Sequence, residues 1–239
     1  MVASSDTDAE VQDRASEAGG HVIKYESMDP AKVTCPFYAT TVCVENACCL
    51  QIAAECATVR IGEKGPVLLV MGSENGPLST HHHGQAAQVL KASTFQQAVR
   101  ASHCDVYASR WGGHYARDVQ VLLDSQGNKL EEPYHIAMVY AAAPCTSSIP
   151  YDQFRADMKA KVLNLLRICY KEGHVDLMLG AWGCGDRDAP VKEVATIFHD
   201  ALLEEREVVG AFLRVTFAIF QSPDGLALAA FEQQFIKGV

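Results

Sequence analysis

The sequence lacks the features that mark membrane-spanning and disulfide-rich secreted proteins. Its longest apolar runs, such as Val67–Met71, are far shorter than the roughly 20 residues needed to cross a bilayer. Its first residues carry neither the basic segment nor the apolar segment of a secretory signal. None of the nine cysteines forms a C-x-x-C pair, and an odd number cannot all pair. We therefore expect reduced thiols, no membrane partner, and a cytoplasmic or nuclear location.

Basic residues are also scarce. There are 20 Lys and Arg residues against 29 Asp and Glu residues, which gives a net charge of -9. Such a chain repels polyanions, so we expect no non-specific binding to nucleic acid. Hydrophobic residues make up 49% of the 239 positions, as in an ordinary globular protein with a sizeable core. Residues 1–20 are acidic and without apolar periodicity, so we predict a flexible tail followed by a single domain over residues 21–239.

Short apolar runs alternate with amphipathic segments after the tail. Because the runs are apolar throughout, they are typical of strands buried on both faces of a sheet. The predicted strands are Thr40–Val44, Val67–Met71, His135–Ala141, Val175–Ala181 and Leu213–Phe220. Apolar residues at helical spacing predict helices over 151–169 and 191–202, and residues 121–128 predict an edge hairpin.

This alternation predicts an α/β protein with a three-layer α/β/α sandwich. Ligands of such sheets bind beyond the carboxyl ends of the strands. The loops to examine are therefore 72–84, 142–150 and 182–190.

One of these connections, Gly180–Pro190, is rich in glycine and is called the glycine loop below. Glycines before a helix N-terminus allow backbone amides to surround an anion such as a diphosphate. Arg187 would attract that anion, whereas Asp186 and Asp188 would repel it. A tight strand-to-helix turn with Asp188 as the N-cap explains the same pattern equally well. The loop by itself leaves both interpretations open.

Three sequence motifs together carry a resemblance to a known family. The glycine loop begins G-A-W-G-C-G, the segment 130–134 reads L-E-E-P-Y, and the strand that follows ends in Ala143-Pro144-Cys145. With Val215–Ile219 as a last strand, this pattern resembles the microbial-type poly(ADP-ribose) glycohydrolases of the macrodomain superfamily from about residue 33 onwards. The resemblance implies a mixed central sheet, a crevice for ADP-ribose and hydrolysis of a glycosidic bond.

The chain departs from that family in the catalytic loop. The family pattern is N-P-G-G-G-F followed by G-x-x-A-Q-E-E, whereas this chain reads N-G-P-L-S-T-H-H-H-G-Q-A-A-Q-V-L. Matching Gly84, Ala87 and Gln88 to the motif places Val89 and Leu90 where the family has its two glutamates. The second glutamate is the family's general acid, and hydrocarbon side chains transfer no protons. The sequence therefore predicts an ADP-ribose-binding protein with lost or weak hydrolase activity.

An active glycohydrolase with a relocated acid or base is the alternative. The candidate substitutes are Glu74, His81 and His83, with Asp118 as a further displaced carboxylate. Imidazole suits both proton transfer near neutral pH and zinc binding. Neighbouring histidines point to alternate sides of an extended loop, so we expect a polar loop rather than a metal site. We predict no metal and no cofactor.

The resemblance implies that the loops after two strands bind the ligand. The predicted binding residues are Gly72, Ser73, Asn75, Gly76, Gly84, Gln88, Gly180, Ala181, Trp182, Gly183, Cys184, Gly185 and Arg187.

Cys184 near a helix N-terminus suits a nucleophile, but a packed thiol is the favoured interpretation. Trp182 and Tyr140 are predicted to be core residues rather than surfaces on which an adenine ring stacks. The expected partner is free ADP-ribose or an ADP-ribosylated protein carrying a single or terminal unit, because the negative charge disfavours long polymer. A vestigial cleft in an interaction module is the third possibility.

Overall fold

Seven strands and six helices form the described part of the chain in this computed structural model. The described residues are 21–28, 36–59, 61–105, 110–146, 149–185, 187–220 and 225–236. The predicted tail at residues 1–20 and Asp186 of the glycine loop lie outside these ranges. The strands are β1 (Val22–Tyr25), β2 (Thr41–Glu45), β3 (Val67–Gly72), β4 (Gly113–Leu123), β5 (Lys129–Ala142), β6 (Asp176–Leu179) and β7 (Arg214–Ala218). The helices are α1 (Cys49–Val59), α2 (Gly84–Ala92), α3 (Phe95–Ala101), α4 (Tyr151–Lys171), α5 (Val191–Leu203) and α6 (Leu226–Phe235).

The strands form one mixed sheet in the order β1-β4-β5-β3-β6-β7-β2. Strands β5, β3, β6, β7 and β2 run parallel to one another, and β1 and β4 complete the sheet by antiparallel pairing. The carboxyl ends of the five parallel strands therefore meet at one edge, which we call the C-terminal edge. This is the edge at which α/β sheets bind ligands.

Helices cover both faces of the sheet and so confirm the predicted three layers. Val67 and Leu69 of β3 pack into the core that contains α4, α5 and α6. Leu68 and Val70 pack into the core that contains α1, α2 and α3. Because successive strand side chains point to opposite faces, a strand covered on both sides must be apolar throughout. No helix in the described ranges is long and apolar enough to cross a membrane.

The five predicted strands are present, with limits that differ from the prediction by up to several residues. The predicted hairpin is also present, but its prediction as an edge hairpin is wrong, because β1 pairs with β4 on the outer side. Segment 135–141 is the end of the longer strand β5, and Asp124 N donates to Asn128 O at 2.9 Å to close the β4–β5 hairpin. Most of β4 was missed because a bulge between Ala116 and Val119 interrupts its alternation of buried and exposed residues. Strand β1 was missed because four residues carry too little pattern.

Candidate functional site

A gap between two neighbouring parallel strands positions the site. Strand β3 pairs with β5 as far as Gly72, but it pairs with β6 only at Val67 and Leu68. Past Leu68 its polar backbone groups need other partners. The side chain of Gln85 supplies them: its Nε2 donates to Leu69 O at 2.9 Å, and its Oε1 accepts from Met71 N at 3.0 Å. The strands therefore diverge toward the C-terminal edge without leaving unsatisfied backbone.

A cleft of about 230 Å³ opens where β3 and β6 diverge. It is lined by Met71, Gly72, His83, Gly84, Gln85, Ala143, Ala181, Trp182, Gly183, Gly185 and Arg187. These residues come from the ends of β3 and β5, the first turn of α2 and the glycine loop. Seven of the predicted binding residues are among them: Gly72, Gly84, Ala181, Trp182, Gly183, Gly185 and Arg187.

The glycine loop forms one wall of this cleft. Gly183 has φ +82°, and a Cβ built on it would lie 2.8 Å from the Cβ of Ala143. Only glycine allows both the left-handed conformation and this close approach to the loop after β5. Cys184 N donates to Ala181 O at 3.0 Å, and Ala189 N donates to Gly183 O at 3.0 Å. The segment is thus a tight turn that also lines the cleft, so the two interpretations of its sequence are compatible.

The helix after the glycine loop begins without the predicted cap. Pro190 occupies the N-cap position of α5, and Asp188 lies before it with φ +51°. The interpretation of Asp188 as N-cap is therefore wrong. The backbone of Asp188 takes part instead in the turn, since its N–H donates to Gly185 O at 3.1 Å.

Trp182 places a polar donor in the wall of the cleft. The residue is 1% exposed, which agrees with its prediction as a core residue. Its indole Nε1 is buried and has no hydrogen-bond acceptor among the described residues. Buried tryptophan N–H groups usually have a partner. This N–H is therefore an exception among the described residues.

Arg187 supplies the fixed positive charge of the cleft. Its Nη1 lies 3.0 Å from Oε1 of Glu74, which follows β3. Its backbone carbonyl accepts a hydrogen bond at 2.8 Å from Oγ1 of Thr146, which follows β5. Arg187 therefore connects three of the loops at the C-terminal edge.

The opposite wall begins with residues 73–83, called the histidine loop below. The hydroxyl of Tyr140 donates to Ser73 O at 2.9 Å and accepts from Ser73 N at 2.8 Å. A Cβ on Gly72 would lie 2.0 Å from the Tyr140 ring, so glycine makes this clamp possible. Tyr140 is fully buried, as predicted. Asn75 and Gly76 continue the loop in a turn outside the cleft lining.

The three adjacent histidines have separate environments. His83 lies at the N-cap position of α2 and lines the cleft. His82 packs edge-on against Tyr140 with ring centroids 5.8 Å apart, and burial lowers its pKa. His81 is exposed and contacts Thr80 Oγ1 through Nδ1 at 3.1 Å. Within the described ranges the histidine run joins no cluster with the spacing of metal ligands.

Val89 and Leu90 face the core rather than the cleft. They are 0% and 5% exposed and belong to the apolar layer between α2 and the sheet. A group that acts on a ligand must instead lie near Gly84 and Gln85, the α2 residues that line the cleft. Gln88 is one turn further on, where its Nε2 donates to Ser125 O at 2.7 Å. The whole helix, G-Q-A-A-Q-V-L-K-A, contains no carboxylate in any alignment to the family motif.

The other predicted chemical groups also have defined positions. Glu74 is paired with Arg187 beside the cleft. Asp118 lies in a separate cavity that also contains the β3 start and is 2.6 Å from His135 Nδ1, so it does not reach the cleft. Burial raises the pKa of Cys184 to about 12, which keeps this thiol protonated and supports the packed interpretation over a nucleophile. The eight cysteines in the described ranges are free thiols.

Two functional positions were missed from the sequence. Gln85 carried no signal because its role depends on where β3 separates from β6. Lys161 on α4 is 6% exposed, and its Nζ donates at 2.6 Å to Ala142 O, one residue before the cleft-lining Ala143. Burial lowers the pKa of Lys161 to about 8. The sequence signal for Lys161 was its position between Met158 and Val162, on the apolar face of the predicted helix.

Comparison with known proteins identifies the fold. No protein-family model matches the chain, and no curated protein matches it in sequence. Solved structures do match. Poly(ADP-ribose) glycohydrolase from Thermomonospora curvata bound to the inhibitor ADP-HPD has a TM-score of 0.75 and 24% identity, over 95% of this chain and 89% of that one. The enzyme from Deinococcus radiodurans in complex with ADP-ribose has a TM-score of 0.77 and 20% identity, over 99% of both chains. The chain therefore has the fold of bacterial-type poly(ADP-ribose) glycohydrolase macrodomains, as its motifs predicted.

Proposed function

We propose that this protein binds ADP-ribose, free or as a single or terminal unit on a protein, and hydrolyses its glycosidic bond weakly or not at all. The observation that carries the proposal is the composition of the cleft wall. Arg187, Trp182 and the turn at Gly183 line it, and no carboxylate is among its lining residues in the part of the chain that the structure describes. This wall offers donors and positive charge to a diphosphate but no carboxylic acid to a leaving group.

The position of the missing acid follows from where α2 meets the cleft. If Gln85 rather than Gln88 corresponds to the glutamine of the family's Q-E-E motif, Ala86 and Ala87 replace the two glutamates. Two observations support this alignment: Gln85 lines the cleft, and Val89 is buried in the core. A methyl group transfers no proton, so this alignment also leaves the helix without a general acid.

Each part of the cleft wall has a proposed role in binding. The left-handed turn at Gly183 would bring the backbone of the glycine loop close to the ligand. Arg187 would pair with a phosphate, and the Trp182 N–H would donate to a ligand oxygen. Gly84 would leave room on the opposite wall, because it has no side chain and a Cβ there would meet no atom within 4 Å.

An active glycohydrolase is a second candidate, and one observation favours it. His83 is exposed and lines the cleft at the start of α2, close to the position of the absent acid. Imidazole is a side chain that suits proton transfer near neutral pH, and general acid catalysis contributes roughly 10²–10⁴-fold to rate. His83 would then protonate the leaving group.

Calorimetry with ADP-ribose, combined with release assays on mono- and poly-ADP-ribosylated protein, tests the two candidates. Binding without release supports the first. Release that disappears in His83→Ala but persists in the exposed control His81→Ala supports the second. Arg187→Gln is expected to weaken ADP-ribose binding about tenfold, since hydrogen bonds to charged groups contribute about 1.5–3 kcal/mol. Absence of binding by the wild-type protein contradicts both candidates.

A further inference from the structure

The charge of Arg187 is already paired within the protein. The Arg187 side chain is 16% exposed, whereas that of its partner Glu74 is 67% exposed. Among the described residues that line the cleft, Arg187 is also the one with a permanent charge. An anionic ligand that approaches this guanidinium therefore meets a carboxylate that already occupies one of its donor nitrogens.

The backbones on both sides of this ion pair are fixed. Glu74 follows Ser73, whose N–H and C=O are both held by the Tyr140 hydroxyl. The carbonyl of Arg187 is held by Thr146. Movement at this pair is therefore confined to the two side chains. The mostly solvated Glu74 carboxylate is the more easily displaced of the two, since exposed ion pairs contribute only about 0–1 kcal/mol.

The ion pair also connects the two walls of the cleft. The Glu74–Arg187 pair links the histidine loop to the glycine loop, and these loops form opposite walls of the cleft. Separation of the two side chains would release this link and free the guanidinium for a ligand.

We propose that Glu74 is an internal competitor for the anion position, which a ligand diphosphate must displace from Arg187. This inference rests on the proposed binding of ADP-ribose and adds a rule for ligand selection. A nucleoside diphosphate sugar replaces the carboxylate on the guanidinium, whereas a neutral nucleoside does not. Glu74 is then a specificity-determining residue rather than the relocated acid.

Calorimetry on four variants tests the competition. Glu74→Gln keeps the size of the side chain and removes its charge, so ADP-ribose is expected to bind about threefold to fivefold more tightly, and adenosine affinity is expected to stay the same. In the Arg187→Gln background, Glu74→Gln is expected to change nothing, because the contested cation is absent. Glu132→Gln is the matched control, an exposed carboxylate near the start of β5, far along the strand from the cleft. It is expected to leave affinity unchanged.

The outcomes separate this inference from the proposed function. If the wild-type protein binds ADP-ribose and Glu74→Gln binds no more tightly, the competition is contradicted and the binding function stands. An equal gain in the Arg187→Gln background, in Glu132→Gln or for adenosine would indicate long-range charge repulsion and would also overturn the competition. If neither wild type nor Glu74→Gln binds ADP-ribose, the proposed function and the inference both fail. An unchanged thermal unfolding midpoint for Glu74→Gln shows that the comparison is made on folded protein.

Discussion

The two walls of the cleft are built by different means. The glycine loop obtains its shape from backbone turns, above all at Gly183, where the left-handed conformation and the contact with Ala143 both exclude a side chain. The histidine loop is held by side chains, with Tyr140 on Ser73 and Gln85 on β3. The first wall keeps the G-A-W-G-C-G motif of the resembling family, and the second has lost the motif that carries the acid. The shape of one wall thus depends on backbone conformation, and that of the other depends on side-chain hydrogen bonds.

The largest expected effect comes from two substitutions that each place a carboxylate on α2, one on its buried face and one nearer the cleft. Leu90→Glu buries an unpaired charge in the core, and we expect it to lower the free energy of unfolding by about 4 kcal/mol and to add no hydrolysis. Ala87→Glu lies at a half-buried position one turn from the cleft, and we expect it to cost about 1 kcal/mol or less. It is also expected to raise release of ADP-ribose at least about tenfold.

Urea unfolding and a release assay check this pair of substitutions. Leu90→Met is the control for volume, with an expected cost below about 1.5 kcal/mol. Hydrolysis by Leu90→Glu rather than by Ala87→Glu would restore the alignment based on Val89 and Leu90. It would contradict the placement of the acid in the first turn of α2.

Substitution of two glycines tests whether the glycine loop depends on its backbone. Gly183→Ala would strain a left-handed residue and press a methyl group against Ala143, at an expected cost of about 1–3 kcal/mol with a marked loss of ADP-ribose affinity. Gly185→Ala is the matched control, because a Cβ there meets no atom within 4 Å. We expect it to cost less than about 0.5 kcal/mol. Equal effects of both in thermal unfolding and calorimetry would show that the turn tolerates side chains.

The smallest expected effect is a difference in alkylation rate between two cysteines, one near each wall of the cleft. Cys48, whose Sγ lies 3.4 Å from Gln88 Oε1, has its pKa lowered to about 6 by a hydrogen bond from Cys49 and by backbone N–H groups at the start of α1. Its alkylation by iodoacetamide is expected to rise between pH 5 and 7 and then level off. Buried Cys184, with a pKa of about 12, is expected to stay unmodified to pH 9.

Peptide mass spectrometry measures both rates, with Cys48→Ser to confirm the assignment. At pH 7 the Cys48 rate is expected to exceed that of an ordinary cysteine about tenfold, because most of it is thiolate. A Cys48 rate that still rises steeply from pH 8 to 9 would contradict its lowered pKa. Modification of Cys184 in the folded protein would contradict its burial.

Much of the fold was predictable because its signals are local. Val67–Gly72 is apolar throughout and is a central strand, and the spacing from Tyr151 onwards gives helix α4. The glycine loop was found by its glycines and by Pro190. The alignment of α2 rested on Gly84, Ala87 and Gln88, which match the motif in sequence but do not show which residues face the cleft. The burial of Val89 and the contacts of Gln85 with β3 support the second alignment proposed above, and both depend on packing.

The order of residues by itself determined the layered α/β fold, the glycine turn and the absence of a carboxylate from α2, because periodicity, glycine content and residue identity are properties of neighbouring positions. Only the tertiary structure decided that β3 and β6 separate, that Gln85 completes the exposed edge of β3, and that Glu74 meets Arg187. Those contacts join residues as many as 113 positions apart, and their geometry follows from the crossing of distant segments at one edge of the sheet.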